Sequence, residues 1–116
     1  MEKNEFLTQH LFTDLKNLNE TAENAEDYRF SEEDFSTIIE RAEHLGIGFY
    51  TIETKLDGEK YASTTHEDLK KKATDPSWYK KAFLTFKSGN PELTYSGTYK
   101  ISMKLLAKDI FKDEEE

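Results

Sequence analysis

The chain has 116 residues, a length that suits one domain with a single core. Its net charge is −8, only 35% of residues are apolar, and mean hydropathy is −0.85, so the core must be small and lean on eight Phe, six Tyr and one Trp. Cysteine is absent, which excludes disulfides, thiolate metal sites and a cysteine nucleophile.

The N-terminus lacks the basic and apolar regions of a signal peptide, and no apolar run approaches the roughly 20 residues needed to span a bilayer. The expectation is a soluble cytoplasmic protein with no membrane association. Charge is also sorted along the chain. Residues 1–69 carry 17 acids against six bases, and residues 70–108 carry nine lysines against Asp75 and Glu92. Such asymmetry points to a charged partner or a charged tail. Arg29 and Arg41 are the only arginines beside 14 lysines, which argues against base readout.

Phe6, Leu7, Leu11, Leu15 and Leu18 recur at helical spacing and predict an amphipathic helix over 4–18. Residues 19–29 are acidic and Asn-rich, without an apolar period, and read as a loop or a frayed extension. A second helix starts with Ser31 as cap and Asp34 three residues on. Phe30 and Phe35 stand at hydrophobic-staple positions, and Gly46 is the stop. Ile47 to Thr54 reads as a strand, Asp57-Gly58 as a hairpin turn, and Lys60 to Ser63 as the return strand. Thr65 with Asp68 predicts the cap of a short helix ending near Lys70–Lys72. Asp75-Pro76 opens the next helix, whose face is Trp78, Tyr79, Ala82, Phe83 and Phe86, although Ala82, Leu84 and Phe86 would also suit a strand. From Leu93 to Leu105 the apolar residues alternate, with Gly97 in the apolar phase, which predicts a long half-buried strand bent or bulged at Gly97.

The expected fold class is therefore α+β, in the order α-α-β-β-α-α-β, with a three-stranded antiparallel sheet packed on one face by helices. Residues 1–108 form the domain, and the acidic run 109–116 is expected to be a disordered tail.

No catalytic constellation is readable, so the expectation is that the chain is not an enzyme. His10, His44 and His66 lack a metal-binding spacing, although Glu40 and His44 share a helix face, and no metal or other cofactor is expected. There is no nucleophile elbow and no Gly-rich phosphate loop. Aromatics interleaved with lysines could stack bases, but their periodicity assigns most of them to the core, and nucleic acid is not the expected partner.

Two sets of residues remain as candidates. Glu20, Glu23, Glu26, Asp27, Glu32 and Glu33 could dock a basic protein, as small inhibitor or immunity proteins do, although a merely solubilising face is the plainer reading. Glu32 and Glu33 also serve the start of their helix. Tyr50, Trp78, Tyr79, Tyr95 and Tyr99 could instead line a small-molecule pocket. The tract Asp75-Pro76-Ser77-Trp78-Tyr79-Lys80-Lys81-Ala82 is similar to the Trp-Tyr-x-x-Ala tract of extracellular Cache sensor domains. That similarity covers eight residues and does not assign the chain to the family. The leading expectation is a small acidic interaction protein that binds a basic partner. The alternatives are a sensor module around Trp78 and an enzyme without a readable motif. Oligomeric state is open.

Overall fold

In a computed structural model, described for residues 2–106, three strands and three helices surround one aromatic core. Helix α1 (Lys3–Phe6) runs into a wider π-helical turn, Leu7–Leu11, and a 3₁₀ turn follows at Ala25–Asp27. Helix α2 is Glu32–Leu45, strands β1 and β2 are Gly48–Leu56 and Glu59–Thr65, helix α3 is Pro76–Gly89, and strand β3 is Thr94–Lys100. The sheet is antiparallel throughout, in the order β2-β1-β3, so the fold is α+β. No helix among the described residues is long and apolar enough to cross a membrane.

The start of α2 follows its sequence grammar. The Ser31 hydroxyl accepts the Asp34 amide at 3.2 Å, and Gly46 ends the helix at φ 75°. Phe35, Ile38, Ile39 and Ala42 form its buried stripe. In α3 the Asp75 carboxylate accepts from the backbone and hydroxyl of Ser77, and Trp78, Tyr79, Ala82 and Phe83 are buried. Residues 82–86 are therefore helical. Leu84 lies on the solvent side of α3, 58% exposed.

Three elements differ from expectation. The first helix stops at Leu11 rather than Leu18. Its last turn widens, with the Phe12 amide donating to Leu7 O, and Asp14 then takes φ 68°. Arg41 of α2 donates to the carbonyls of Leu11 and Thr13 at 3.0 and 2.7 Å, which occupies acceptors a continuing helix would have used. Leu15 still packs against the core, but Leu18 is 41% exposed and its amide donates to Arg29 O.

The helix expected at Thr65 is a turn only. The reciprocal cap forms, Asp68 N to Thr65 Oγ1 at 3.2 Å and Thr65 N to Asp68 Oδ2 at 3.0 Å, yet Lys70 at φ 55° ends the turn before a helix can propagate. The order is thus α-α-β-β-α-β. The last strand ends at Lys100, and Met103, expected on the buried phase, is 79% exposed in a final helical turn. The acidic run 109–116 lies outside the described residues.

Gly97 pairs with Ile52, one position along from a bulge that lies in β1 rather than at Gly97 itself. Tyr50 and Thr51 together face Thr98, so β1 carries the extra residue. A Cβ on Gly97 would come within 3.0 Å of Thr51 O and 3.2 Å of the Phe49 ring, so the bulged strand leaves room only for glycine. A second irregularity leaves Tyr61 as the extra residue of β2. There Thr54 Oγ1 both accepts the Ala62 amide (3.1 Å) and donates to its carbonyl (2.9 Å), which explains a fully buried threonine.

Candidate functional site

Strand alternation divides the sheet into two faces. Phe49, Ile52, Thr54, Tyr95, Gly97 and Tyr99 are buried toward the helices. Glu53 of β1 is on the other face, opposite Ser63 of β2 and Ser96 of β3, and Thr51 there faces Thr65 and Thr98. Among the described residues, the start of α1 reaches one end of this outer face, with Lys3 over the Tyr50 ring, and the rest of the face is small, hydroxyl-rich and polar.

The acidic loop 19–27 runs beside that face. Its course is set by asparagines, whose side chains replace backbone partners where no ladder exists. Asn17 Oδ1 accepts the amides of Asn19 and Arg29 at 2.9 and 3.0 Å. Asn19 Nδ2 donates to Asp27 O at 2.8 Å, and Asn4 Oδ1 accepts the Ala25 amide at 3.2 Å. One end of the loop is pinned at Phe30, which exchanges two backbone hydrogen bonds of 2.8 Å with Tyr95. At the other end of β3, Glu26 accepts the Tyr99 amide at 3.0 Å and pairs with Lys3 at 3.2 Å.

Between loop and sheet lie two adjoining depressions of about 360 and 560 Å³ that share Glu26, Asp27 and Glu53. Asn19, Thr21, Arg29, Lys55 and Ser96 complete one, and Glu2, Lys3, Asn24 and Thr98 the other. Both are open and polar. The structure thus brings Glu26 and Asp27 together with Glu53 and Glu2, neither of which was a sequence candidate. Glu53 had a signal, its polar phase in a strand, but nothing local says which loop would lie beside it. Glu20 and Glu23 are exposed on the same loop. Glu32 and Glu33 do not line the groove. They begin α2, Glu33 exposed and Glu32 half-buried, with one carboxylate oxygen unpartnered.

The aromatic candidates are separated by the sheet's two faces. Trp78, Tyr79, Tyr95 and Tyr99 belong to the core, each 0–1% exposed, whereas Tyr50 is 42% exposed beneath the Lys3 ammonium. Trp78 Nε1 donates to Ala73 O at 3.1 Å, and Tyr79 donates to Ile47 O at 3.4 Å. The phenol oxygens of Tyr95 and Tyr99 are buried without a partner. Burial pushes the Tyr79 and Tyr95 phenols up to about 12, helped by Glu43 and Asp75 for the first and by Glu32 for the second. Burial, then Glu26, raises Tyr99 further. These five side chains do not converge on one cavity. Trp78 borders a shallow cleft with Leu69, Lys71, Ser77 and Lys81.

The histidines also stand apart. His66 Nδ1 lies 2.7 Å from Lys71 O, a group that can only accept, so Nδ1 carries a proton. His10 and His44 flank a cleft with Glu40, Arg41 and Leu45, where Arg41 is already committed to two carbonyls. Among the described residues, no group of three or more His, Asp or Glu could hold a metal ion. No protein-family model, curated protein or solved structure matches this chain.

Proposed function

We propose that the chain acts by binding, without chemistry or a cofactor of its own, and that it presents its acidic loop and outer sheet face to a basic protein surface in the cytoplasm. One observation carries this reading. Glu26 and Asp27 of the loop share two adjoining open depressions with Glu53 of the outer sheet face, where Lys3, Arg29 and Lys55 also stand. Glu20 and Glu23 stand exposed on the same loop, where their field adds to that of the groove. The loop is held by Asn17, Asn19 and Asn4, so docking would cost little ordering entropy. Glu26 is partly occupied within the chain, by Lys3 and the Tyr99 amide, which leaves Glu20, Glu23, Asp27 and Glu53 as the contact residues.

The test is affinity capture from extract of the source cell at about 50 and about 500 mM salt, a range over which the Debye length falls severalfold. The expected result is a small set of proteins with pI above about 9. They should be lost at high salt and absent when E20K/E23K/E53K is the bait. Capture of the same proteins by both baits, or of acidic proteins only, would reject the reading.

A further inference from the structure

The groove on the outer sheet face is polarised along its length. Phe30 bridges to Tyr95 in the antiparallel sense, so the segment 26–30 tracks β3. Arg29 comes beside Ser96, Asp27 beside Thr98, and Glu26 accepts the Tyr99 amide. On the other flank, β1 pairs Lys55 with Thr94 and Glu53 with Ser96. Each flank thus carries an acid and, two residues on, a base: Asp27 then Arg29, and Glu53 then Lys55. Both flanks run antiparallel to β3, so on each the base lies toward Thr94 and the acid toward Thr98. Two positions along an extended chain span about 7 Å.

These four charges are uncommitted within the chain. Lys3 and Glu26 satisfy each other, and the Glu26 carboxylate also holds the Tyr99 amide. Among the described residues, Arg29, Lys55 and Glu53 make no ion pair and no side-chain hydrogen bond, and Asp27 has only the Asn24 amide at 3.5 Å. Arg29 Nε is shut off from solvent without a partner. The backbone of Arg29 is fixed on both sides, its amide by Asn17 Oδ1 and its carbonyl by the Leu18 amide, which holds the residue beside the groove. A guanidinium with open donors suits a carboxylate. A lone anion here would also meet Glu53 and Asp27, and a lone cation would meet Arg29 and Lys55. A ligand that carries both charges satisfies both ends.

We infer that this groove binds a zwitterion of dipeptide length. Its carboxylate would lie at Arg29 and Lys55 and its ammonium at Glu53 and Asp27, with the Ser96 hydroxyl between them to bond the peptide group. The terminal charges of an extended dipeptide are about 6–7 Å apart, which matches the two-position spacing of acid and base on each flank. The depression around Ser96, of about 360 Å³, is open, so the expected affinity is weak, about 1–10 mM. Such binding does not depend on the docking of a basic protein, although a bound zwitterion would cover Glu53 and Asp27 and compete with that partner.

Amide NMR of the full chain, titrated with glycylglycine to about 50 mM, tests this. The expected result is saturable shifts at the amides of Arg29, Glu53, Lys55 and Ser96. N-acetylglycylglycine lacks the ammonium and glycylglycinamide lacks the carboxylate, so each should bind about tenfold more weakly. E53Q and K55Q should each weaken glycylglycine by a similar factor, whereas K81Q, on α3 at the other side of the sheet, should leave it unchanged. R29Q should weaken it too, and if that variant does not fold, E53Q and K55Q decide. The amide spectrum of each variant checks that the fold is retained. No saturable shift by about 50 mM would overturn the inference. So would equal binding of glycylglycine and either capped form, or binding that E53Q and K55Q leave unchanged. Glycylglycine binding without capture of any basic protein would leave this site standing and remove the docking reading. Capture of a basic protein without glycylglycine binding would do the reverse.

Discussion

The Glu26 carboxylate accepts the backbone N–H of Tyr99 at 3.0 Å, across 73 residues of sequence. Strand β3 is an edge strand, and an edge amide left bare is an invitation to foreign pairing. Here an acidic loop closes that edge, with Phe30 paired to Tyr95 at one end and Glu26 at the other. The loop that carries the candidate binding residues is thus also a structural cover for the sheet.

Replacing Glu26 separates its two contacts. E26Q keeps an acceptor for the Tyr99 amide and loses the ion pair with Lys3, which at 30–39% side-chain exposure is worth little. E26A removes both and should cost about 1–2 kcal/mol. Amide hydrogen exchange should show faster exchange at Tyr99 in E26A and near-normal protection in E26Q. Equal protection in all three proteins would mean the carboxylate does not cover the edge.

Thr54 is a sharper test of the irregular β1–β2 pairing. Its hydroxyl satisfies both the amide and the carbonyl of Ala62. T54V preserves volume but strands two backbone groups, so urea unfolding should show a loss of about 1–3 kcal/mol. T54S should lose less, since it keeps the hydroxyl. A T54V protein as stable as the parent would show that Ala62 finds other partners.

Glycine 48 is fixed by crowding. An added Cβ would lie 2.7 Å from the backbone of Ala73 and 2.9 Å from Thr74 N. Neither neighbour is a side chain that can rotate away, so G48A should cost about 1–3 kcal/mol or more. Gly89 is the control, because its Cβ would meet only the Tyr61 hydroxyl at 3.7 Å. Thermal melts of G48A and G89A decide the matter, and equal melting temperatures would contradict the packing.

Alkaline stability follows from the buried phenols. The folded state raises the affinities of Tyr79 and Tyr95 for their protons to about 12, and Tyr99 beyond that. The unfolded chain releases those protons near 10. Stability from these groups is therefore fully present below pH 10 and is lost as pH rises toward and through 12. Tyrosinate absorbance and circular dichroism should change together over that window. Ionisation of Tyr79, Tyr95 and Tyr99 near pH 10 with the fold intact would disprove the burial argument.

Much of the architecture is written locally. Ser31 with Asp34, Gly46, Asp57-Gly58 and Asp75-Pro76 each fix a boundary through contacts within a few residues, so these elements stand where the sequence places them. The alternation from Leu93 through Tyr99 likewise reports one buried face. Local grammar failed where distant groups compete. Leu15 and Leu18 keep helical spacing, but Arg41, some 30 residues away, takes the carbonyls at the end of the first helix. Thr65 and Asp68 make their cap without a helix, because a cap alone does not supply the packing that sustains one.

The sequence by itself determined the fold class, the aromatic core and the segregation of charge, since each depends on composition, period or neighbouring residues. Only the tertiary structure decided which charges share a surface. Glu53 joins Glu26 and Asp27 through strand register and a loop held by asparagines, and α3 sends its lysines to the other side of the sheet. Those relationships arise from long-range backbone pairing, and no spacing along the chain encodes them.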